Sequence, residues 1–308
     1  IFENGIASPL CRSPAEGYLK TRRAVAEDLK HSFEFDPEDL PAVAPGQPLS
    51  VFMFPGGPHG DWNWHSITVP VEVDAARGRA RLLTDQTYDI GAGSRYYWRG
   101  AREFLTSPGQ FWLDASGGWV YYRPRSVPVA AQTIVVPTAE RVVELRGDSP
   151  ERPVRNVRLE GLVIRNSDLP LVERGRTGMS GAVHIENAEG IEVRGCRIHN
   201  TGLHGVYLTG WAQRCVVAGC HIHDVGHTGV QLDGDRGRAV ITCRGNRIEN
   251  NHVHHTGRNV GHGAGIQLSF AGENVPAHNR VHHAPRYAIS LTGPAPESMV
   301  HTEIEGKR

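Results

Sequence analysis

Two carboxylates flank a glycine in the run VQLDGDR at 230–236, namely Asp233 and Asp235. Neighbouring carboxylates resist ionising together, so one holds its proton while the other stays charged. An acid beside a base is what cleavage of a glycosidic bond requires. The chain around them repeats a pattern: VHIE at 183–186, VYLT at 206–209, VQLD at 230–233, IQLS at 266–269 and ISLT at 289–292. Aliphatic residues alternate with polar ones, the period of a strand with one buried face. Stacked, the outward residues form a column two residues wide: His184/Glu186, Tyr207/Thr209, Gln231/Asp233, Gln267/Ser269 and Ser290/Thr292. Glu186 then lies two strands from Asp233, ~9–10 Å by backbone spacing. Side-chain bending brings that into the ~6.5–9.5 Å of an inverting glycosidase. Asp235 offers a closer partner, and Glu273, in the turn after the next strand, a third. The catalytic candidates are therefore Asp233, Asp235, Glu186 and Glu273. His184, Tyr207, Gln231, Arg236, Gln267 and His283 are the candidate substrate contacts, since a sugar needs donors, acceptors and an aromatic surface. Away from such a face, Asp-Gly-Asp would read as a solvated turn.

Histidine is concentrated in the same region, fourteen of seventeen lying beyond position 183. Imidazoles close in space can chelate a metal. A repeated strand-to-turn consensus produces the same pairs without one, and it is the simpler reading. Neither a metal nor another cofactor is expected. In PHGDWNWH, His59, Trp62 and Trp64 suit a lid or sugar platform, although tryptophan clusters more often form a core.

The elements that hold these residues follow from a repeat. GCRIHNTGLHGVYL at 195–208 matches GCHIHDVGHTGVQL at 219–232, and the pattern returns in NNHVHHTG, GIQL and NRVHHAPRYAISL. A looser copy runs from GLVIRN at 161–166 to AVHI at 182–185, and TEIE at 302–305 reads as the start of another. Each copy holds two short strands around a glycine turn, too little to bury a core alone, so the copies must stack. Ile198, Ile222, Val253 and Val281 point inward, with His199, His223, His254 and His282 outward. Cys196, Cys220, Asn251 and Asn279 also face inward, where asparagines can ladder and the two cysteines approach disulfide geometry. The fold class is all-β: a right-handed parallel β-helix over 139–308, preceded by a β-rich, sandwich-like lobe over 1–138. The aromatic lobe is expected to wall one side of the groove. Within it, a short helix near 18–29, strands near 66–73 and 79–83, and a hairpin in FWLDASGGWVYY are expected.

Composition narrows the class. Thirty-three basic and thirty-three acidic residues cancel, which argues against a partner bound by overall charge such as nucleic acid. No apolar run is long enough for a spanning helix. The 36 glycines and 20 prolines fit a turn-rich chain rather than a helical one. Five cysteines without a CxxC pair do not suggest a zinc knuckle or a complete disulfide framework. Only three residues are lysine, an arginine bias without functional weight. The chain opens without a starting methionine or leader and stops inside a coil, so it reads as part of a longer protein, with its lobe an insertion and its C-terminal cap missing.

The run RYYWRGAREFLTSPGQFWLDASGGWVYYRPR at 95–125, followed by VRNVRLEGLVIRNS, resembles the join between an inserted β-domain and the β-helix in bacterial right-handed parallel β-helix proteins. SFEFDPEDLP and FENGI…CRSP also resemble the inserted domain, and LDGDR is similar to a G-G-D-R turn. The chain thus resembles glycoside hydrolase family 141, in the pectin-lyase-like group, whose members include α-L-fucosidase and xylanase activities. Asp233 stands where the common pattern has glycine, so the resemblance carries catalytic status to Asp235 first. It implies a secreted or periplasmic glycoside hydrolase acting on plant or microbial polysaccharide or oligosaccharide. A uronate lyase using Arg236, Arg280, Arg286 and His283 is the alternative, and a non-catalytic glycan-binding module a third.

Overall fold

The computed structural model describes residues 1–56, 67–84, 86, 88–169, 179–235 and 241–293. They divide into two units, 1–136 and 137–293.

In the second unit the repeat winds into five coils and the start of a sixth, a right-handed parallel β-helix with three sheets. Sheet I, seven-stranded, stacks Val143–Arg146, Gly181–Glu189, His204–Gln213, Val230–Asp233, Ala264–Ser269 and Tyr287–Thr292, with Val154–Arg155 also paired to the second of these. Sheet III stacks Val163–Arg165, Arg197–Thr201, His221–Val225, His252–His254 and Arg280–His282. Each coil therefore carries three strands and not two. The additional sheet II stacks Arg158–Glu160, Glu192–Arg194, Val216–Ala218, Arg247–Glu249 and Val275–Ala277. Its strands are three residues long, too short to display alternation.

Register in sheet III runs Ile164, Ile198, Ile222, Val253, Val281, one above another. Ile198, Ile222 and Val253 are fully buried and Val281 packs against them. The inward column is the one alternation predicts. The chain then turns into sheet I through Gly205, Gly229 and Gly265. A Cβ on Gly229 or Gly265 would collide with the Val253 or Val281 side chain beneath it, so the corner excludes any larger residue.

Buried asparagines knit the coils. The Asn251 side-chain oxygen accepts the Cys220 N–H at 2.9 Å, and its amide donates to Val217 O at 2.9 Å and to Asn279 Oδ1 at 3.0 Å. A second ladder, absent from the sequence reading, joins Asn246 to Asn274 and to the Cys215 N–H. These side chains satisfy backbone groups that a corner would leave unpaired. Cys196 and Cys220 are buried free thiols.

The first unit is antiparallel. Its main sheet has eight strands in the order Arg12–Ser13, Arg95–Arg99, Ser50–Phe54, Ile67–Asp74, Arg79–Leu82, Ser32–Glu34, Arg23–Ala24, with Leu19–Lys20 also on Arg95–Arg99. Strands four places apart in a flat sheet stand ~19 Å from each other. Yet the Phe33 and Tyr96 rings lie 5.0 Å apart, so the sheet curls onto itself as a sandwich around Phe33, Phe35, Tyr96 and Trp98. The hairpin forms as expected, Phe111 opposite Tyr122 and Asp114 opposite Trp119. The helix near 18–29 does not form. Leu19–Lys20 and Arg23–Ala24 are short strands there, with Ala24 paired to Phe33 on the edge of the sandwich. His59, Trp62, Trp64 and TEIE at 302–305 lie outside the described residues.

Leu232 is fully buried in the stack, and its truncation to alanine should cost roughly 2–5 kcal/mol in urea unfolding. Asn251→Ala strands the Cys220 N–H and Val217 O away from water and should cost about 2–4 kcal/mol. A loss below about 0.5 kcal/mol for Asn251→Ala would mean that the ladder does not stabilise the stack.

Candidate active site

Sheet I fixes the polar face residue by residue. His184 pairs with Tyr207, Tyr207 with Gln231, Gln231 with Gln267 and Gln267 with Ser290. Beside them Glu186 pairs with Thr209, Thr209 with Asp233, Asp233 with Ser269 and Ser269 with Thr292. Both columns of the sequence reading exist in their predicted order. They extend one coil further, to Glu144 and Arg146.

Asp233 lies at the centre of the face and is only 8% exposed. The Tyr207 hydroxyl donates to its Oδ2 at 3.2 Å. Glu186, two strands away, lies 3.3 Å from Arg146 Nε and 3.4 Å from His184 Nε2. Gln231 and Gln267 both donate to the Ser269 hydroxyl, at 3.3 and 3.2 Å. Each side chain is thus held by another on a backbone that is hydrogen-bonded on both edges, the rigidity a reacting site needs.

Two histidines missed by the sequence reading complete the aromatic wall. His204, the first residue of its strand, stacks on Tyr207 at 5.3 Å and 13°, and the His184 ring lies 5.3 Å from the same ring. His227, one coil on, lies 4.8 Å from His204. Burial drives the His204 pKa well below the ordinary imidazole value, with the His227 charge adding to it. His227 is lowered to about 4, again mainly by burial and then by His262. His184 is also lowered, by burial first and by Arg141 next, with Glu186 opposing. The signal for these residues was their recurrence just before the glycine corner, in GLHGVYL and VGHTGVQL.

Not every candidate joins the face. After Asp233 the strand ends at Gly234, where a Cβ would overlap the Phe270 carbonyl oxygen. The glycine of Asp-Gly-Asp is required by the stacking. Asp235 follows it, exposed, its N–H donating to Thr242 Oγ1 at 3.1 Å. Glu273 lies outside both columns. It is exposed in a left-handed turn position with φ 57°, beyond the end of its strand and just before sheet II. His283 likewise leaves the groove, because it sits in a left-handed turn after sheet III, its ring 4.5 Å from His255. Arg280 is on sheet III as well. Arg286 and Gln267 line an open hollow of about 330 Å³ with His262 and Tyr287, at the C-terminal end of the face. Arg236 lies outside the described residues. Among the described residues, three metal-type donors converge at His221, His252 and His254 on sheet III, away from this face.

The family model for a right handed beta helix region matches residues 153–303. A solved structure named as a glycoside hydrolase matches with a TM-score of 0.69 at 17% identity, over 95% of this chain and 59% of that one. The chain therefore spans about three fifths of that protein's length. The catalytic unit of a GH87 α-1,3-glucanase from Streptomyces thermodiastaticus matches at 12% identity and a TM-score of 0.29, over 88% of this chain and 60% of that one. No curated protein matches the sequence. At this identity the first structure shows a shared fold: the chain is a right-handed β-helix protein.

The depressed histidines set an acid limit on stability. Unfolded, His204 and His227 take up protons near pH 6.5, whereas folded they remain neutral until far lower pH. The unfolded state then binds more protons, so stability is full above about pH 6.5 and drains as pH falls toward 4. Urea midpoints should follow that slope, and His227→Gln should flatten it. An unchanged slope in the variant would exclude His227 from the effect.

Proposed function

We propose that this chain is a glycan-acting enzyme, a glycoside hydrolase whose groove is the outer face of sheet I. The observation that carries the reading is the register Glu186, Thr209, Asp233. Two strand steps of ~4.8 Å separate the carboxylates by ~9.6 Å at the backbone. That spacing lies at the upper end of the ~6.5–9.5 Å that leaves room for water between base and anomeric carbon. The fold shared with a glycoside hydrolase supports it.

In this reading Asp233 is the acid, being the least exposed carboxyl on the face. It protonates the glycosidic oxygen as the carbon–oxygen bond breaks. Glu186, bridged by Arg146, is the base. It takes a proton from the water whose oxygen bonds to the anomeric carbon from the opposite side. The products are an alcohol and a hemiacetal of inverted configuration. Tyr207, buried between His184 and His204, holds the Asp233 carboxyl in place, and the half-buried Gln267 is the candidate to hydrogen-bond sugar hydroxyls. Asp235, just past Gly234, is the second candidate for the partner of Asp233. Retention of configuration would favour it.

The lyase reading has less support. Abstraction of a C5 proton from a uronate needs base and cation beside one sugar ring, and of the described residues named for it only Arg286 borders the sheet I face, while Arg280 and His283 belong to sheet III and the turn that follows it.

Asp233→Asn keeps the shape of the face and removes the proton, so hydrolysis of a neutral polysaccharide should fall at least ~10²-fold with substrate binding largely retained. Proton NMR of the first product should show inversion. Near-wild-type turnover by Asp233→Asn would sink the assignment. Unsaturated products absorbing in the ultraviolet would favour the lyase, and glycan binding without turnover the non-catalytic module.

A further inference from the structure

Sheet III carries a second outward surface of different chemistry. His199, His223, His254 and His282 stack in register, ring centroids 4.9, 5.1 and 4.9 Å apart and planes within 10°. In the next column His221 lies under His252, 4.9 Å apart and nearly parallel. The columns touch edge to edge: His221 Nε2 is 2.8 Å from His254 Nε2, and His252 Nε2 is 2.8 Å from His282 Nε2.

The strand does not require imidazole at these positions. The column of His221 and His252 continues as Arg197 on one side and Arg280 on the other. The column of His199 begins with Arg165. A repeat consensus would allow arginine throughout, but three successive coils concentrate imidazole where the two columns meet.

We propose that His221, His252 and His254 form a binding site for a borderline divalent transition metal, Zn²⁺, Ni²⁺ or Cu²⁺, with His282 as fourth ligand. One ring nitrogen from each of the first three lies within 4.8 Å of the others. Ligand nitrogens around a tetrahedral ion bound at ~2.0–2.1 Å stand ~3.3 Å apart. The separations present, from 2.8 to 4.8 Å, bracket that value, so small ring rotations suffice. The donor set selects the metal class, because imidazole suits zinc, nickel and copper. Calcium and magnesium want oxygen ligands, and the nearby carboxylate, Asp224, is occupied by His223 at 2.8 Å and Arg258 at 2.6 Å. The ligands come from three consecutive coils, so the ion would clamp the stack. It would not act in the sheet I groove.

The tag-free 308-residue chain, stripped with chelator, is titrated calorimetrically with the chloride of each metal. One equivalent should bind with micromolar or tighter affinity to at least one of them, and the melting temperature should rise with occupancy. With Cu²⁺, electron paramagnetic resonance should show splitting from three or more nitrogens. His252→Arg and His221→Arg copy residues that neighbouring coils already carry, so both should fold with the melting temperature of the metal-free parent. Each should weaken binding at least ~10-fold, the low end even for an outer partner of a ligand. His199→Arg, outside the set, should bind as the parent does. Undiminished affinity in both His252→Arg and His221→Arg, or no binding of any of the three metals tighter than about 1 mM, would overturn the proposal.

Discussion

Parallel hydrogen bonding between successive coils, spaced at ~4.8 Å, is the constraint on which the second unit depends. It makes each residue the neighbour of its counterpart one coil away, so position in the repeat becomes position in a column. Inside, that rule demands residues that stack on their own kind. Ile164, Ile198, Ile222, Val253 and Val281 do so through branched side chains, and Asn251 by donating its side-chain amide to Asn279 Oδ1. The glycine corners follow from the same rule. Where sheet III hands the chain to sheet I, the Val253 and Val281 side chains occupy the space of a Cβ.

Outside, the rule converts a linear pattern into a surface. A parallel sheet normally hides both faces beneath helices. Here one face covers the core and the other is left for side chains, so its columns carry whatever chemistry the repeat contains. Sheet I gathers carboxylates, amides and a tyrosine, whereas sheet III gathers imidazoles. The two surfaces share a backbone and differ only in which positions of the coil they use.

This also explains what could be read from the sequence. The inward columns and the pairs His184/Glu186 through Ser290/Thr292 were legible because alternation holds along a strand and the repeat fixes the alignment of strands. Sheet II was not legible, since Glu192–Arg194 and Val216–Ala218 each bury little more than Val193 and Val217. His283 was misjudged because it follows its strand into a left-handed turn, where counting by twos fails. His204 and His227 were passed over because they lie at or before the start of their strands, ahead of the alternating run, yet the His204 ring stacks on Tyr207. Arg146 belongs to a coil outside the clear repeat, and its approach to Glu186 needed the register of sheet I.

Stacking finally imposes a step size on the chemistry. Two carboxylates in one column can stand only whole numbers of coils apart, so their backbone spacing takes values near ~4.8 or ~9.6 Å and nothing between. Retaining glycosidases want ~5–5.5 Å between carboxyl groups and inverting ones ~6.5–9.5 Å. A one-coil pair therefore falls close to the first range and a two-coil pair, with side chains inclined together, inside the second. The Thr209 between Glu186 and Asp233 is the residue that selects two steps. A carboxylate in its place would bring the pair one coil closer and remove the gap a water needs. If the proposed pair acts, the choice of coil sets the stereochemical course, through a geometry that the hydrogen bonds of the fold already hold.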